Sequence, residues 1–283
     1  MDSWHHERLS AEQAARISEW FPDIRVLSDM SWNLVDTVVL DVDSGGHRYV
    51  IKAAGPSNHH IGREIDAHLT ATAALASIGR AARMVHYDRS VNLLVTEYLD
   101  GTLALGTESE FDSEIFRQAG EVLRTFHSQS ERLDGNAVRD AISASVAWLN
   151  KPNRIRAETS DELRKILASH RLWPTQVVPT HGDWHPRNWL VDFGTVKAID
   201  FGRFAFRPAS SDFCRLAAQQ WRRAPGLEAA FLDGYGDDPR EPGLWRIISL
   251  REAIGTAVWA YQVGDEPFEQ QGLRMIDDAL RLF

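Results

Sequence analysis

The segment THGDWHPRNWLVDFGTVKAIDFGR, residues 180–203, has the residue types that metal-dependent chemistry needs. It contains two histidines, three aspartates and one asparagine between short apolar runs. Three interpretations are open. Histidine is the commonest metal ligand, so His181, Asp183 and His185 suggest a zinc hydrolase. Carboxylate and amide oxygens suit magnesium, so the same segment suggests phosphoryl transfer. The third interpretation is a polar turn between strands.

The spacing of the acidic and amide residues favours phosphoryl transfer. Asp183 and Asn188 are five residues apart, the spacing at which protein kinases place a hydroxyl-orienting aspartate and a metal-binding asparagine on one loop. Two short strands then predict a hairpin that ends on the second Asp-Phe-Gly, at Asp200. This hairpin brings Asn188 and Asp200 to one end, within reach of one magnesium ion. Asp192, in the first Asp-Phe-Gly, falls at the turn and is predicted to be a turn residue.

The zinc interpretation has less support. The sequence contains no H-E-x-x-H motif, and His181 and His185 lie in a predicted loop. A helix would align ligands four residues apart, but a loop does not.

These motifs resemble those of the aminoglycoside phosphotransferase-like family, relatives of the protein kinases that include choline-kinase-like enzymes. HGDWHPRN is similar to the family loop H-G-D-x-H-x-x-N, and IDFG is similar to its metal motif I-D-x-G. The resemblance implies that Asp183 is the catalytic aspartate and that Asn188 and Asp200 are magnesium ligands. His181 and His185 shape the loop in that family. The implied fold is α+β, of the bilobal protein-kinase type.

The predicted elements that position these residues follow the same order. Ser10 and Gln13 have capping-box spacing before a first helix. Residues 34–53 predict a hairpin around DSGG, residues 60–79 a helix closed by a glycine, and residues 82–88 and 91–97 two strands. From residue 108 the pattern is helical, with further helices predicted at about 137–149, 159–170, 209–223, 226–233, 243–263 and 267–282.

This order predicts three parts of the chain. Residues 1–97 form a nucleotide-binding lobe with an antiparallel sheet and a helix. Residues 98–101, the sequence YLDG, form a hinge, because strand signals give way there to helix signals. Residues 102–283 form a helical lobe with the catalytic loop and the acceptor site.

Lys52 and Glu64 are predicted to form an ion pair in the cleft. Lys52 lies in YVIKAA, which resembles the V-A-I-K strand of protein kinases. Glu64 shares the inward stripe of its helix with Ile61, Ile65 and His68. A buried carboxylate requires a cation, and the resemblance implies that the pair directs the Lys52 ammonium toward the nucleotide phosphates.

The remaining nucleotide contacts follow from the resemblance. The sequence has no glycine-rich loop before the hairpin, and the family's serine-bearing turn implies phosphate contacts at Ser31. The hinge-like segment implies that the carbonyl of Thr96 or Glu97 and the amide of Tyr98 bind the purine. Asp212 matches a family residue that supports the catalytic loop, although an acid at a helix N-terminus explains it equally well.

Composition limits the class of protein. A single cysteine and a charged N-terminal segment predict a cytoplasmic protein without an internal disulfide or signal peptide. No apolar run approaches the roughly 20 residues that span a bilayer. The formal net charge of −9 gives no general attraction to nucleic acid or anionic membranes. The oligomeric state is not predictable.

We therefore expect ATP- and Mg²⁺-dependent phosphorylation of a hydroxyl group on a small molecule. The acceptor is an aminoglycoside or another cationic antibiotic, or an amino sugar or amino alcohol of metabolism. Acidic residues at 233–242, with Asp265, Glu266 and Glu269, either line a cationic pocket or form a solvated surface. A macrolide-type acceptor would require an apolar pocket formed by Trp221, Trp245, Trp259 and Tyr261, which are equally well core residues. The non-enzymatic alternative is a nucleotide-binding pseudokinase.

Overall fold

The first part of the chain folds around one antiparallel sheet. The computed structural model describes residues 8–32 and 36–282. Helix α1 (Ala11–Trp20) begins with the predicted capping box, in which Ser10 and Gln13 exchange hydrogen bonds. The five strands are β1 (Arg25–Asp29), β2 (Val38–Ser44), β3 (His47–Ala53), β4 (Met84–Asp88) and β5 (Leu93–Glu97), in the order β1-β2-β3-β5-β4.

The predicted hairpin is formed by β2 and β3. Gly45 and Gly46 have φ values of 59° and 79°, as a two-residue hairpin turn with two left-handed positions requires. The predicted start of the hairpin at residue 34 lies outside the described residues. The register places Lys52 opposite Val39 on β2 and opposite Leu94 on β5, so this lysine lies in the middle of the sheet.

The single helix predicted over residues 60–79 is wrong, because the chain forms two helices there. Helix α2 (His60–Thr70) ends where Ala71 has a non-helical φ of −140°, and α3 (Ala73–Ser77) follows. The Thr72 hydroxyl bonds back to the carbonyl of His68 (3.4 Å), a local bond that competes with helix continuation. The predicted glycine end is confirmed at Gly79, which has a φ of 70°.

The second part of the chain is mostly helical. Its helices are α4 (Ser113–His127), α5 (Ala137–Leu149), α6 (Ala157–Ser169), α7 (Cys214–Ala218), α8 (Gln220–Arg223), α9 (Gly226–Tyr235), α10 (Pro242–Val263) and α11 (Glu266–Leu280). The prediction of one helix over 209–223 is wrong. A 3₁₀ turn and two short helices occupy that range, because Gln219 has non-helical angles of φ −118° and ψ −89°.

Two small antiparallel sheets flank residues 181–188, which we call the polar loop. One has the order β10-β9-β6, with β6 (Thr102–Leu103), β9 (Trp189–Asp192) and β10 (Thr195–Ala198). The other has the order β11-β8-β7, with β7 (Arg132–Asp134), β8 (Thr175–Thr180) and β11 (Ala205–Arg207). The sequence did not predict β6, β7, β8 or β11; β6, β7 and β11 have two or three residues each, and β8 has six. The polar loop runs from β8 to β9, between the two sheets.

An aromatic core lies beneath this loop. Trp184, Trp189 and Phe201, from the loop and its flanking strands, are almost fully buried. They pack with Phe126 of α4 and with other core residues. This packing fixes the loop, so its polar side chains have defined positions.

Among the described residues, no helix has the length and apolar character needed to cross a lipid bilayer.

Candidate active site

A cleft of about 1250 Å³ opens between the five-stranded sheet and the helical part. Eight of the nine residues predicted from the sequence line it, namely Lys52, Glu64, Thr96, Glu97, Tyr98, Asp183, Asn188 and Asp200. The ninth, Ser31, is not part of the lining, although its neighbours Met30 and Trp32 are. Residues far apart in the sequence are therefore brought together in one cavity.

Lys52 connects both sides of the cleft. Its Nζ donates to Glu64 Oε1 (2.8 Å) and Oε2 (2.9 Å) on α2, and to Asp200 Oδ1 (3.2 Å) beyond β10. Burial opposes the charged ammonium, but Asp200 and Glu64 raise the pKa of Lys52 above its ordinary value. Lys52 is consequently a fixed cation in the cleft at neutral pH.

The two carboxylates differ in exposure and in the direction of their pKa shifts. The Glu64 side chain is 5% exposed and that of Asp200 is 51% exposed. Burial raises the pKa of Glu64, although Lys52 opposes the shift. Lys52 lowers the pKa of Asp200. Glu64 therefore holds the lysine from within the protein, while Asp200 presents an ionised carboxylate to the cleft.

Removing Lys52 should destabilise the protein, because Glu64 would remain as a buried carboxylate without a cation. We expect Lys52→Met to lower the free energy of unfolding by about 3–5 kcal/mol at neutral pH, because Glu64 loses its cation. The folded-state pKa of Glu64 would then be further above its unfolded value, so stability is recovered as the pH falls toward the unfolded pKa. Urea unfolding at several pH values measures this effect. Lys52→Met with Glu64→Gln should lose less stability, and an equal loss in both variants would contradict the pairing.

Asp212 holds the polar loop by accepting hydrogen bonds from its backbone. Its carboxylate accepts hydrogen bonds from the amides of His181 (2.7 Å) and Gly182 (2.6 Å). His127 Nε2 lies 3.0 Å from Asp212 Oδ2. Gly182 has a φ of 80°, and a Cβ atom there would lie 2.5 Å from the Arg203 carbonyl oxygen. These contacts agree with the predicted support of the loop by Asp212.

The hairpin β9-β10 brings Asn188 next to Asp200, as the spacing predicts. The Ile199 amide donates to the Asn188 carbonyl (3.1 Å), and Asn188 Nδ2 donates to the carbonyl of Asp183 (2.8 Å). A Cβ atom at Gly202 would come within 3.4 Å of Asp200 Oδ1, so glycine leaves room around this carboxylate.

The first Asp-Phe-Gly lies at the turn of the hairpin, and its predicted role as a turn is confirmed. Phe193 and Gly194 have positive φ values, and Asp192 Oδ2 pairs with Lys197 Nζ (2.8 Å). Asp192 is not part of the cleft lining.

Two arginines beside Asp183 were missed by the sequence analysis. Arg215 Nε lies 2.7 Å from Asp183 Oδ1, and Arg203 Nε lies 3.9 Å from Oδ2. Arg215 Nη2 also contacts Glu252 Oε1 on α10 (3.1 Å). The sequence carries no local signal for Arg215, because it reaches Asp183 and Glu252 through tertiary packing.

These cations set the charge of Asp183. Burial opposes its ionisation, but Arg215 first, and then Arg203 and His185, hold the pKa of Asp183 well below its ordinary value. Asp183 is therefore an ionised, weakly basic carboxylate, which can accept a hydrogen bond from a hydroxyl group.

The contacts of the two histidines do not favour the zinc interpretation. The His181 ring has Nε2 2.9 Å from the Ile199 carbonyl oxygen, which fits a loop-shaping residue. Burial lowers the pKa of His185 to about 4, and neither of its ring nitrogens has a hydrogen-bond partner among the described residues. Within residues 8–32 and 36–282, no group of three or more His, Cys, Asp or Glu side chains could hold a metal ion.

Two of the groups predicted to contact the nucleotide form hydrogen bonds within the protein. The Tyr98 amide donates to the Arg48 carbonyl (3.1 Å), so the sheet already uses this donor. The Ser31 hydroxyl accepts from the Val39 amide (2.9 Å) and fixes the start of β2. Thr96 and Glu97 lie at the cleft as predicted.

Most of the acidic residues considered for a cationic pocket have other partners. Asp238 pairs with Arg240, Glu241 caps α10, and Glu269 is buried beside Arg154. Only Asp265 of this set lines the cleft. Of the four aromatic residues considered for a macrolide pocket, Trp259 is the one that lines the cleft. Trp221 is buried in the core.

A comparison with known protein families identifies the family of this chain. The model of the phosphotransferase enzyme family, abbreviated APH, matches residues 33–245. No curated protein matches the chain in sequence.

Similar solved structures cover nearly the whole chain. A thermostable mutant of the aminoglycoside phosphotransferase APH(4)-Ia, solved with ADP and hygromycin B, is 17% identical, with a TM-score of 0.63 over 95% of this chain and 97% of that chain. The macrolide 2'-phosphotransferase MphH from Brachybacterium faecium is 17% identical, with a TM-score of 0.61 over 95% and 98%. The choline kinase LicA from Streptococcus pneumoniae is 16% identical, with a TM-score of 0.64 over 95% and 97%. The predicted α+β, protein-kinase-like fold is confirmed.

Proposed function

Because the chain belongs to the phosphotransferase enzyme family, we propose that it transfers the γ-phosphoryl group of ATP, with Mg²⁺, to a hydroxyl group of a small molecule. The observation that carries this proposal is the position of Lys52 Nζ, 2.8 Å from Glu64 and 3.2 Å from Asp200. The same cleft holds Asp183 and Asn188. A cation for phosphates, oxygen donors for a metal and a carboxylate for a hydroxyl are the parts that phosphoryl transfer requires.

Asn188 and Asp200 are suited to hold Mg²⁺. Both offer oxygen donors, which hard divalent cations prefer, and Mg²⁺ commonly takes one or two protein ligands with water and phosphate completing its shell. The lowered pKa of Asp200 keeps it ionised. Bound magnesium would neutralise charge that develops on the phosphate oxygens.

Asp183 would orient the acceptor. The bond from the acceptor oxygen to the γ-phosphorus forms, the bond from phosphorus to the bridging oxygen of ADP breaks, and the hydroxyl proton passes by way of Asp183 to solvent. A weakly basic carboxylate is sufficient, because the transition state is loose and positioning contributes most of the rate.

The nucleotide base would bind at the hinge. The Glu97 amide donates to the Arg83 carbonyl (2.9 Å), so we propose the Glu97 carbonyl and the backbone of Leu99, just after β5, as the purine contacts. Val50, Leu190 and Ile199 supply apolar surface nearby. Residues 98–101 would then be a hinge between lobes 1–97 and 102–283, and an ATP-dependent reaction fits the predicted cytoplasmic location.

A coupled ADP-release assay tests the proposal. The panel combines Mg·ATP with aminoglycosides, macrolides, amino alcohols, amino sugars and hydroxy acids, because proteins that share this fold act on different acceptors. At least one acceptor should stimulate ADP release above the rate without acceptor. Nucleotide binding without stimulation by any acceptor would support a non-catalytic binding protein instead.

Arg215 should control the pH dependence of this reaction. Activity requires ionised Asp183 and is lost as the pH falls through its pKa. Since Arg215 is the strongest of the charges that lower this pKa, Arg215→Gln should raise it and move the acid limb of kcat/KM to higher pH. The pH profile of kcat/KM measures the shift, with Arg139→Gln on the exposed face of α5 as control. A uniform loss of rate with an unmoved acid limb would show that Arg215 acts only structurally.

A further inference from the structure

One wall of the cleft, beyond Asp183, is formed by α11. Phe268, Gln271 and Arg274 line the cleft, and their spacing of three residues places them along one side of the helix. The rise of an α-helix separates Phe268 from Arg274 by about 9 Å along its axis. The wall therefore has an inner and an outer part.

The inner part is aromatic and lies beside Asp183. The Arg215 guanidinium, which contacts Asp183, has its Cζ 5.9 Å from the centre of the Phe268 ring. Phe268 in turn packs edge-to-face against Trp259, with ring centres 6.0 Å apart. An acceptor whose hydroxyl reaches Asp183 would lay its body on this aromatic surface.

The carboxylates of this wall are already engaged. Glu110 is 8% exposed and accepts from the amide of Gly106 (2.9 Å) and from Gln220 Nε2 (3.1 Å). Asp265 caps α11 by accepting from the Phe268 amide (3.1 Å). Neither is a free partner for a cationic acceptor.

Two arginines that line the cleft have exposed side chains, Arg274 on α11 and Arg223 at the end of α8. Arg274 is exposed and makes no hydrogen bond or ion pair with any described residue. The Arg223 side chain is 67% exposed, with Nη1 3.9 Å from Glu110 Oε1 and Cζ 4.6 Å from the centre of the Phe111 ring. Arg222 lines the same region but is paired with Asp278. We call Arg223 and Arg274 the basic rim.

Charge along the cleft agrees with this assignment. From residue 102 onward the lining contains six arginines, Arg187, Arg203, Arg215, Arg222, Arg223 and Arg274, against four carboxylates, Glu110, Asp183, Asp200 and Asp265. Arg215 and Arg222 are also paired with Glu252 and Asp278, which do not line the cleft, so the positive charge left for a ligand lies at Arg187, Arg223 and Arg274.

We propose that the acceptor is an alcohol that carries an oxyanion, with its apolar or planar body on Trp259 and Phe268 and its carboxylate or phosphate on the basic rim. This inference rests on the proposed function, because it places the acceptor hydroxyl at Asp183. Two exposed guanidinium groups can bind a carboxylate or a phosphate by charge-assisted hydrogen bonds.

Matched acceptors test the charge. The carboxylate para-(hydroxymethyl)phenylpropanoate, its amide, and the corresponding primary amine share one alcohol and one ring. With Mg·ATP, we expect the carboxylate to have a kcat/KM about tenfold or more above that of the amine, as expected for a hydrogen bond to a charged group. The corresponding phosphonate distinguishes a preference for phosphate from one for carboxylate. Equal or better turnover of the amine would overturn the inference.

Arg274→Glu tests the rim itself, with Arg139→Glu as a control that makes the same charge change on α5. We expect Arg274→Glu to raise KM for the carboxylate about tenfold or more and to leave KM for ATP unchanged, whereas Arg139→Glu changes neither. An unchanged KM for the carboxylate in Arg274→Glu would overturn the inference.

Calorimetry tests the basic rim without turnover, because it measures binding of the same carboxylate in the presence of Mg·ADP. Binding that is weakened in Arg274→Glu but not in Arg139→Glu supports the inference, and absence of binding to the unmodified protein overturns it. ADP release that occurs only with amines or neutral alcohols would contradict the basic rim but not the proposed function. Absence of ADP release with every acceptor contradicts the proposed function.

Discussion

Asp183→Asn should lower kcat for phosphoryl transfer by about 10²–10⁴-fold, the contribution typical of a positioned proton acceptor. Asparagine keeps the size of the side chain but cannot accept the hydroxyl proton. Its amide group also leaves Arg215 without its carboxylate at 2.7 Å. Binding of Mg·ATP should persist, because Lys52, Asn188 and Asp200 are unchanged. Steady-state ADP release measures turnover, and nucleotide titration measures binding.

The control for Asp183→Asn is a test that the variant still folds with an intact polar loop. Asp212 holds the loop through the amides of His181 and Gly182, and the Asp183 side chain is not part of that support. Asp183→Asn should therefore unfold with the same cooperativity as the unmodified protein, measured in parallel by urea unfolding. Near-normal turnover in a folded variant would contradict the assignment of Asp183.

Asp200→Asn should have an effect of similar size for a different reason. The variant loses the anionic ligand proposed for magnesium and one of the two carboxylates that hold Lys52. We expect Mg²⁺-dependent stabilisation by ATP to disappear in thermal unfolding, and kcat to fall by about 10²-fold or more, since a bound metal contributes several kcal/mol to transition-state stabilisation.

The chain provides a matched control for Asp200→Asn. Asp192 belongs to an identical Asp-Phe-Gly tripeptide, but it pairs with Lys197 at the hairpin turn and does not line the cleft. Asp192→Asn should retain Mg²⁺-dependent stabilisation and turnover. Equal losses in the two variants, or none in either, would contradict a special role for Asp200.

The parts of this site that were predictable from sequence depend on local rules. The turn glycines fixed the hairpin that carries Lys52, and helical periodicity placed Glu64 on the inward side of α2. The hairpin between Asn188 and Asp200 explains why both residues lie at the same end of the cleft, since strand pairing carries both ends of a hairpin to one edge.

The residues that were missed depend on tertiary packing. Arg215 reaches Asp183 only because the segment after β11 packs beneath the loop, and no local pattern encodes that approach. The Tyr98 amide was predicted to bind the purine, but pairing between β3 and β5 extends far enough to engage it with Arg48. The acidic residues of 233–242 formed a suggestive pattern in sequence, yet those with resolved contacts pair with arginines or cap helices.

Direct observation of the product is the most direct test of the proposed function. The unmodified protein is incubated with Mg·ATP and an acceptor that stimulates ADP release, and phosphorus NMR with mass spectrometry then identifies where the phosphoryl group goes. We predict a phosphate monoester of the acceptor in an amount equal to the ADP formed, and no ester with Asp183→Asn. ADP accompanied only by free phosphate, with the acceptor unchanged, would contradict transfer to a hydroxyl group.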